Sequence, residues 1–382
     1  MKHIYLDHAA TTPLANEIFE AIKPYFSEKF GNASSLHVYG QEARNAVEKA
    51  RDDIAKFINA KPAEIVFTSG GTESNNLAIK GVAFANKQKG KHIITSKIEH
   101  PAVLEPCRWL EKQGWKVTYL PVNSDGIINP ADVEKAITKE TVLVSIMHAN
   151  NEIGTIQPIE EIGKICKKYD VYFHTDAVQS FGKLDINIKR MNLDILSASA
   201  HKIYGPKGVG ILYVNRDVKI EPTQHGGGHE QGLRSGTENV PGIVGFAKAV
   251  ELMQKLGKKE QERQKKLRDK IIKEILKIQG SRLNGSQEKR LANNVNVSFH
   301  GIEGEALLLR LSEKGFAVST GSACSSKSLE PSHVLTALGL KPEEAHGSLR
   351  ITLGKDNTEQ DVDKLLEVLP KIINSLRRIS PF

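Results

Sequence analysis

Residues 194–214 read DILSASAHKIYGPKGVGILYV, two apolar runs of strand length joined by a glycine-rich turn that carries His201 and Lys202. The first run ends at two ionisable residues, which marks the point where a buried strand leaves its sheet. Outward from this unit the same kind of run recurs. EIVFTSG (64–70), HIITS (92–96), WKVTYLPV (115–122), VLVSIMH (142–148) and VYFHTDA (171–177) are further strand candidates, with helical patterns between most of them. Alternation of this kind argues for an α/β domain whose largely parallel sheet is covered by helices on both faces. Ligands in such sheets bind at the carboxyl ends of the strands, and Lys202 follows one of those ends directly.

At 382 residues the chain exceeds one ordinary core, so a second, smaller unit is expected. Val240 to Ile278 reads as one long helical run with Leu267, Ile271, Ile275 and Ile278 on a stripe, and the domain junction falls within it. Beyond it the rhythm changes to that of an α+β unit. NVNVSF (294–299) and SLRITLG (348–354) are strand candidates, helices are expected over Leu307–Lys314 and near Val334, and a last helix is capped at Thr358 with Asp361 three residues on. Near the start, Val38–Ile58 has the spacing of an amphipathic helix, with Ala43, Ala46, Val47, Ala50, Ile54 and Phe57 on its apolar side.

The formal net charge is +8, but the lysines are scattered and read as a solvated face rather than a nucleic-acid footprint. No apolar run approaches the roughly 18 residues of a spanning helix, so neither a membrane nor a nucleic acid is an expected partner. Three cysteines without C-x-x-C spacing support neither a disulfide framework nor a structural metal, and a reducing, cytoplasmic setting is the expectation. Cys107 and Cys166 fall on apolar helical stripes, the latter with Ile159, Ile162 and Tyr169. Cys324 lies in the small, polar stretch STGSACSSKSLEPSH (319–333), where a thiol can be exposed and can ionise. His225 and His229 stand four apart, but the three glycines between them argue against a helix and hence a metal site.

Three features carry chemistry. Lys202, desolvated at a strand end, becomes an amine nucleophile or base; alone it reads as a turn lysine. Asp176 ends another apolar run, where a carboxylate requires a cationic partner or serves as the cap of the next turn. Ser69, Gly70, Gly71 and Thr72 lie between a strand and a helix start, where free amides and hydroxyls face an anion or simply make the turn. An imine-forming lysine, an acid for a pyridine nitrogen and a phosphate cradle are together the parts of a pyridoxal phosphate site.

The chain closely resembles the cysteine desulfurases of the class V aminotransferase branch of fold-type I pyridoxal phosphate enzymes. The resemblance spans nearly the whole chain through YLDHAATTP (5–13), FGNASSLHVYG (30–40), FTSGGTESNN (67–76), EHPAV (99–103), HANNEIGTIQP (148–158) and HTDAVQS (174–180). It continues in SAHKIYGPKGVG (199–210), GGGHEQGLRSGTENV (226–240), STGSACSS (319–326) and HGSLRITLG (346–354).

This resemblance implies a mainly parallel seven-stranded sheet in a large cofactor domain, 13–257, and a small α+β domain, 1–12 with 258–382. It implies that Lys202 is the covalent attachment point of pyridoxal 5′-phosphate. Asp176 then pairs with the pyridine nitrogen, Gln179 reaches the ring hydroxyl, His100 stacks on the ring and is catalytic as a proton carrier near the substrate sulfur, and Asn151 lies beside the ring and also binds substrate. Gly71, Thr72, Ser199 and His201 belong to the phosphate cradle, and Thr237 reaches it from the partner of a homodimer.

Arg350 resembles the residue that grips the substrate carboxylate. Cys324 resembles the cysteine that takes sulfur from L-cysteine, leaving L-alanine and an enzyme persulfide. The length between Cys324 and His333 resembles that of the housekeeping branch, whose loop delivers sulfur to an iron–sulfur scaffold protein and other acceptors. A selenocysteine lyase, or another lyase or aminotransferase on the same scaffold, is the alternative reading.

Overall fold

The computed structural model describes residues 3–320 and 331–379. A short strand, β1 (Ile4–Tyr5), precedes seven strands that form one sheet. These are β2 (Ile65–Thr68), β3 (His92–Ser96), β4 (Lys116–Leu120), β5 (Thr141–Ser145), β6 (Tyr172–Asp176), β7 (Ile195–Ser199) and β8 (Gly210–Val214). Their order is β2-β8-β7-β6-β5-β3-β4. β4, β3, β5, β6 and β7 run parallel to one another, whereas β8 is antiparallel to both β7 and β2. The physical reason is the connection: the turn 200–209 is too short for the crossover that a parallel pair needs.

Every residue of β3, β5, β7 and β8 is buried, as expected of strands covered on both faces. The helix Val38–Phe57 buries Ala43, Val47, Ala50 and Ile54, in the same apolar cluster as Phe173, Leu196 and Ile211 of the sheet. Its apolar face agrees with the sequence spacing, and it stops one residue short of Ile58. The next helix begins at Gly71, hard against β2. Gly70 takes φ 151°, and a Cβ on Gly210 would stand 2.6 Å from the Gly70 Cα, so two glycines let the β2 turn cross β8. From Gly71–Asn76 the chain passes through a π-helical turn, Leu77–Gly81, into Val82–Asn86.

The run expected as one helix over 240–278 is helical over Val240–Ile275 and breaks at Gly257, where φ is 53° and ψ is −157°. Before the break Ile243, Phe246 and Val250 join the core of the large sheet; after it Leu267, Ile271 and Ile275 join a second core. That second core lies beneath β9 (Ser281–Leu283), β10 (Asn294–Phe299) and β12 (Ser348–Thr352), an antiparallel sheet in the order β12-β10-β9. Between β10 and β12 in sequence, β11 (Phe316–Ala317) pairs in parallel with β1. The final helix, Glu359–Ile379, starts where expected: Thr358 N donates to Asp361 Oδ2 at 2.9 Å and Asp361 N donates back to Thr358 Oγ1 at 3.2 Å.

Cys107 and Cys166 are buried in helices, as their stripes require. Tyr169 leaves the Cys166 stripe and is exposed, because the helix ends at Lys168 and Tyr169 is already its C-cap. No helix among the described residues is long and apolar enough to cross a membrane.

Candidate active site

β6 and β7 are parallel neighbours, so Asp176 and the turn after Ser199 emerge on the same edge of the sheet. There they border a cavity of about 300 Å³. Asp176 is 5% exposed. Its Oδ1 accepts from Val178 N at 2.9 Å and its Oδ2 from Asn75 Nδ2 at 2.7 Å. Ser199, His201 and Lys202 line the cavity from the adjacent turn, Asn151 and Arg350 from the side of the small sheet.

The segment from Asp7 to Thr12 ties these groups together. Lys202 Nζ donates to Ala9 O at 2.6 Å and Ala10 O at 2.7 Å, and Gln179 Nε2 donates to Ala9 O at 2.9 Å. Thr12 Oγ1 donates to His201 O at 2.8 Å and accepts from Tyr204 N at 2.7 Å, clamping both sides of Lys202. Arg350 Nη2 pairs with Asp7 Oδ1 at 2.9 Å, while Nη1 donates to Asn151 O at 3.0 Å. Nε of Arg350 is buried and has no hydrogen-bond partner among the described residues.

His100 caps the helix Pro101–Lys112, its Nδ1 accepting from Ala102 N at 3.0 Å. The ring proton therefore resides on Nε2. Burial holds the imidazole below its ordinary pKa, outweighing the opposing pull of the Asp176 charge, so the ring facing the cavity is neutral at pH 7. His201 is pushed down to about 4 by burial and by Lys202, Lys207 and Lys183, and its Nδ1 lies 3.1 Å from Thr11 Oγ1.

Beside His100, Glu99 is fully buried and pushed up to about 8, by burial first. Ser96 Oγ lies 2.6 Å from its Oε1, and Met147 N donates to both oxygens. A carboxyl raised in the fold contributes fully below its unfolded value of 4.5 and loses that contribution as pH rises through about 8. Glu99→Gln keeps the shape and stays neutral. It is expected to match the wild type near pH 5 and to exceed it in stability by a few kcal/mol near pH 9. Urea denaturation at the two pH values checks this; a variant equally destabilised at both would remove the neutral-acid assignment.

An adjoining cavity of about 410 Å³ shares Ala10, Gly71, Thr72, Ser199 and His201 with the first and adds Thr11, Ser69, Gly70, Glu73, Lys207 and Gly208, the Glu73 carboxylate being held by Arg234 Nε at 2.8 Å and Ser69 N at 2.7 Å. It lies at the start of the helix from Gly71, whose first amides have no acceptor within the helix. With Lys207 nearby, this end of the site suits an anion.

Lys202, Asp176, Gln179, His100, Asn151, Gly71, Thr72, Ser199, His201 and Arg350 thus share one site, although they come from distant stretches of the chain. Thr237 is exposed and is absent from the lining of either cavity. Cys324 lies outside the described residues. Sequence reasoning passed over Asp7, Ala9, Ala10, Asn75 and Glu99. The motif YLDHAATTP was the available signal for the first three, but the groups of Ala9 and Ala10 that matter are backbone carbonyls.

The sequence model of the class-V aminotransferases matches residues 4–365. Cysteine desulfurase IscS of Dictyoglomus turgidum is 58% identical over 382 residues, covering 100% of this chain and 97% of the relative. The enzyme of the same name from Methanosarcina thermophila is 56% identical over 380 residues, covering 100% and 94%. Among solved structures, a NifS-like protein superposes with a TM-score of 0.92 at 42% identity, covering 98% of this chain and 100% of that one. Agreement in family, sequence and fold over nearly the whole chain leads to one assignment: the chain belongs to the class-V aminotransferase family and, within it, to the cysteine desulfurases.

Proposed function

We propose that this chain converts L-cysteine to L-alanine with pyridoxal 5′-phosphate in the 300 Å³ cavity, and that Cys324 takes the sulfur as a persulfide for iron–sulfur cluster assembly or thio-modification. The observation that carries the reading is the convergence of the Lys202 amine, the Asp176 carboxylate and the Arg350 guanidinium on one cavity.

The residues fit the cofactor. Asp176 is a buried acid bonded to amide donors alone among the described residues, which leaves it suited to a cationic ring nitrogen. His100 offers a neutral ring for stacking, Gln179 and Asn151 offer amides, and the start of the helix from Gly71 with Thr72, Ser199 and His201 suits the phosphate. When bound, the cofactor supplies an electron sink for charge that develops at the substrate α-carbon.

Arg350, whose buried Nε has no partner among the described residues, grips the substrate carboxylate while Asp7 and Asn151 O hold its other nitrogens. Lys202 serves as cofactor attachment and then as the base that moves the α-proton. His100 Nε2 carries the ring proton and is the group able to exchange one near the substrate sulfur. The Cys324 thiolate attacks that sulfur; the substrate carbon–sulfur bond breaks, its electron pair stays on the β-carbon, and protonation there yields alanine. The sulfur remains on Cys324 as a persulfide.

Supplying L-cysteine to the purified yellow protein is expected to change its absorbance and to release alanine and acceptor-bound sulfur in equal amounts. Alanine without matching sulfur, or sulfur without alanine, would sink the desulfurase reading. Cys324→Ser is expected to lower desulfuration by about 100-fold or more while leaving the cofactor band in place. If the variant still releases sulfur from cysteine at the wild-type rate, a lyase without a catalytic thiol is the better account.

A homodimer is part of the proposal. Phe26, Phe30, Leu36, Val38 and Tyr39 are more than half exposed within one short stretch, and Phe30 stacks on Tyr39 at 5.5 Å. Apolar surface concentrated in this way is a mark of an interface. Thr237, exposed on its own chain, is then available to a neighbouring site. Light scattering is expected to give twice the 42.1 kDa of one chain, and a stable monomer would refute it. The division into 13–257 and 1–12 with 258–382 is supported by the break at Gly257 and the separate apolar clusters on either side of it. A cytoplasmic setting is proposed on cysteine usage.

A further inference from the structure

Asn75 is 1% exposed and borders the main cavity. Its Nδ2 donates to Asp176 Oδ2 at 2.7 Å. A carboxylate only accepts, so the amide has one permitted orientation; reversed, its oxygen would face another acceptor. The other end of the same amide, Oδ1, is buried and has no donor among the described residues. A buried amide oxygen without a partner is costly, so local hydrogen-bond satisfaction does not account for Asn75. Its bond to Asp176 does.

The mounting is rigid. Asn75 lies on the helix Gly71–Asn76, and its neighbour Ser74 donates to Ile211 O of β8 at 2.9 Å and lies 2.8 Å from Thr68 Oγ1 of β2. Asn75 is thereby held at a set distance from the sheet that carries Asp176. Val178 N takes the other carboxylate oxygen from the following turn. Two donors, one per oxygen and from different elements, define the plane of the carboxylate and leave its remaining lone pairs for the cavity.

We infer that Asn75 is a positioning residue: it fixes the orientation in which Asp176 meets the cationic ring nitrogen of the cofactor. This rests on the pyridoxal phosphate reading above. Asn75→Ala removes the donor, and Asn75→Asp replaces it by an isosteric acceptor. The full-length chain, stripped of cofactor and titrated with pyridoxal phosphate, reports on both.

Each variant is expected to bind the cofactor about 10- to 100-fold more weakly, as loss of a hydrogen bond to a charged group implies. The visible absorption maximum and circular dichroism of the bound cofactor are expected to shift, while the thermal midpoint of the cofactor-free Asn75→Ala protein stays near that of the wild type. Wild-type affinity and an unchanged spectrum in both variants would overturn the inference. So would weakened binding that merely follows unfolding of the cofactor-free protein, since Asn75 would then be a packing residue. A wild-type chain that takes up no pyridoxal phosphate would instead refute the cofactor reading on which this one stands.

Discussion

Lys202→Ala is expected to lower desulfurase turnover by roughly 10³-fold or more and to leave any bound cofactor releasable by dialysis. In the wild type, borohydride reduction is expected to fix the cofactor to the chain permanently; in the variant it should not. The size of the effect follows from the two tasks that meet on one nitrogen, covalent attachment and proton transfer. The fold is expected to survive. Lys202 is only half-buried, and the carbonyls of Ala9 and Ala10 to which it donates lie on a segment that Thr12 also anchors through His201 and Tyr204. Unfolding free energy should therefore change by no more than about 1–2 kcal/mol. Mass spectrometry after reduction, with alanine assayed in parallel, provides the check. A variant that kept full turnover would remove Lys202 from the reaction altogether.

The largest effect on stability is expected far from the cavity, at Arg51. Its Nη1 and Nη2 donate to Glu230 Oε2 and Oε1 at 2.7 and 2.8 Å, and both side chains are nearly closed to solvent. Arg51 Nη1 also donates to Ile65 O, its guanidinium lies 4.7 Å from the centre of the Phe67 ring, and Glu230 Oε2 accepts from Phe67 N. The pair thus joins the helix Val38–Phe57, the edge strand β2 and the stretch that follows the glycine run 226–228. Arg51 also reaches Glu48 Oε1 at 3.3 Å, so it is the loss of Arg51 that strands a charge, leaving the buried Glu230 carboxylate without its cation. Arg51→Ala is expected to cost about 3–5 kcal/mol in chemical denaturation. The double variant Arg51→Met with Glu230→Leu is expected to recover part of that loss, because no charge is then stranded. A single variant as stable as the wild type would show that water or a rearrangement reaches the Glu230 carboxylate.

Much of the architecture was legible because it is local. The seven strands of the large sheet were visible as apolar runs, the apolar face of Val38–Phe57 as a helical spacing, and the start of the last helix as the Thr358–Asp361 pair. What went unread was of two kinds. The break at Gly257 lies inside a run whose side chains keep helical spacing on both sides, and a single glycine in such a run does not announce a positive φ. The antiparallel course of β8 followed from the length of its connection rather than from its own residues.

The sequence by itself determined the α/β class, the two strand ends that bear Asp176 and Lys202, and the motifs that resemble the cysteine desulfurases. These depend on spacings of two or about 3.6 residues, or on short runs of fixed residues, which the chain displays without folding. Only the tertiary structure decided how the site is held. Asp7 and Arg350 meet across 343 positions, and Asn75 meets Asp176 across 101. The carbonyls that receive Lys202 belong to Ala9 and Ala10, whose side chains say nothing about them. Hydrogen bonds of this kind arise when the sheets and turns bring separate segments to one edge. Their partners are chosen by position in space, which residue spacing along the chain does not encode.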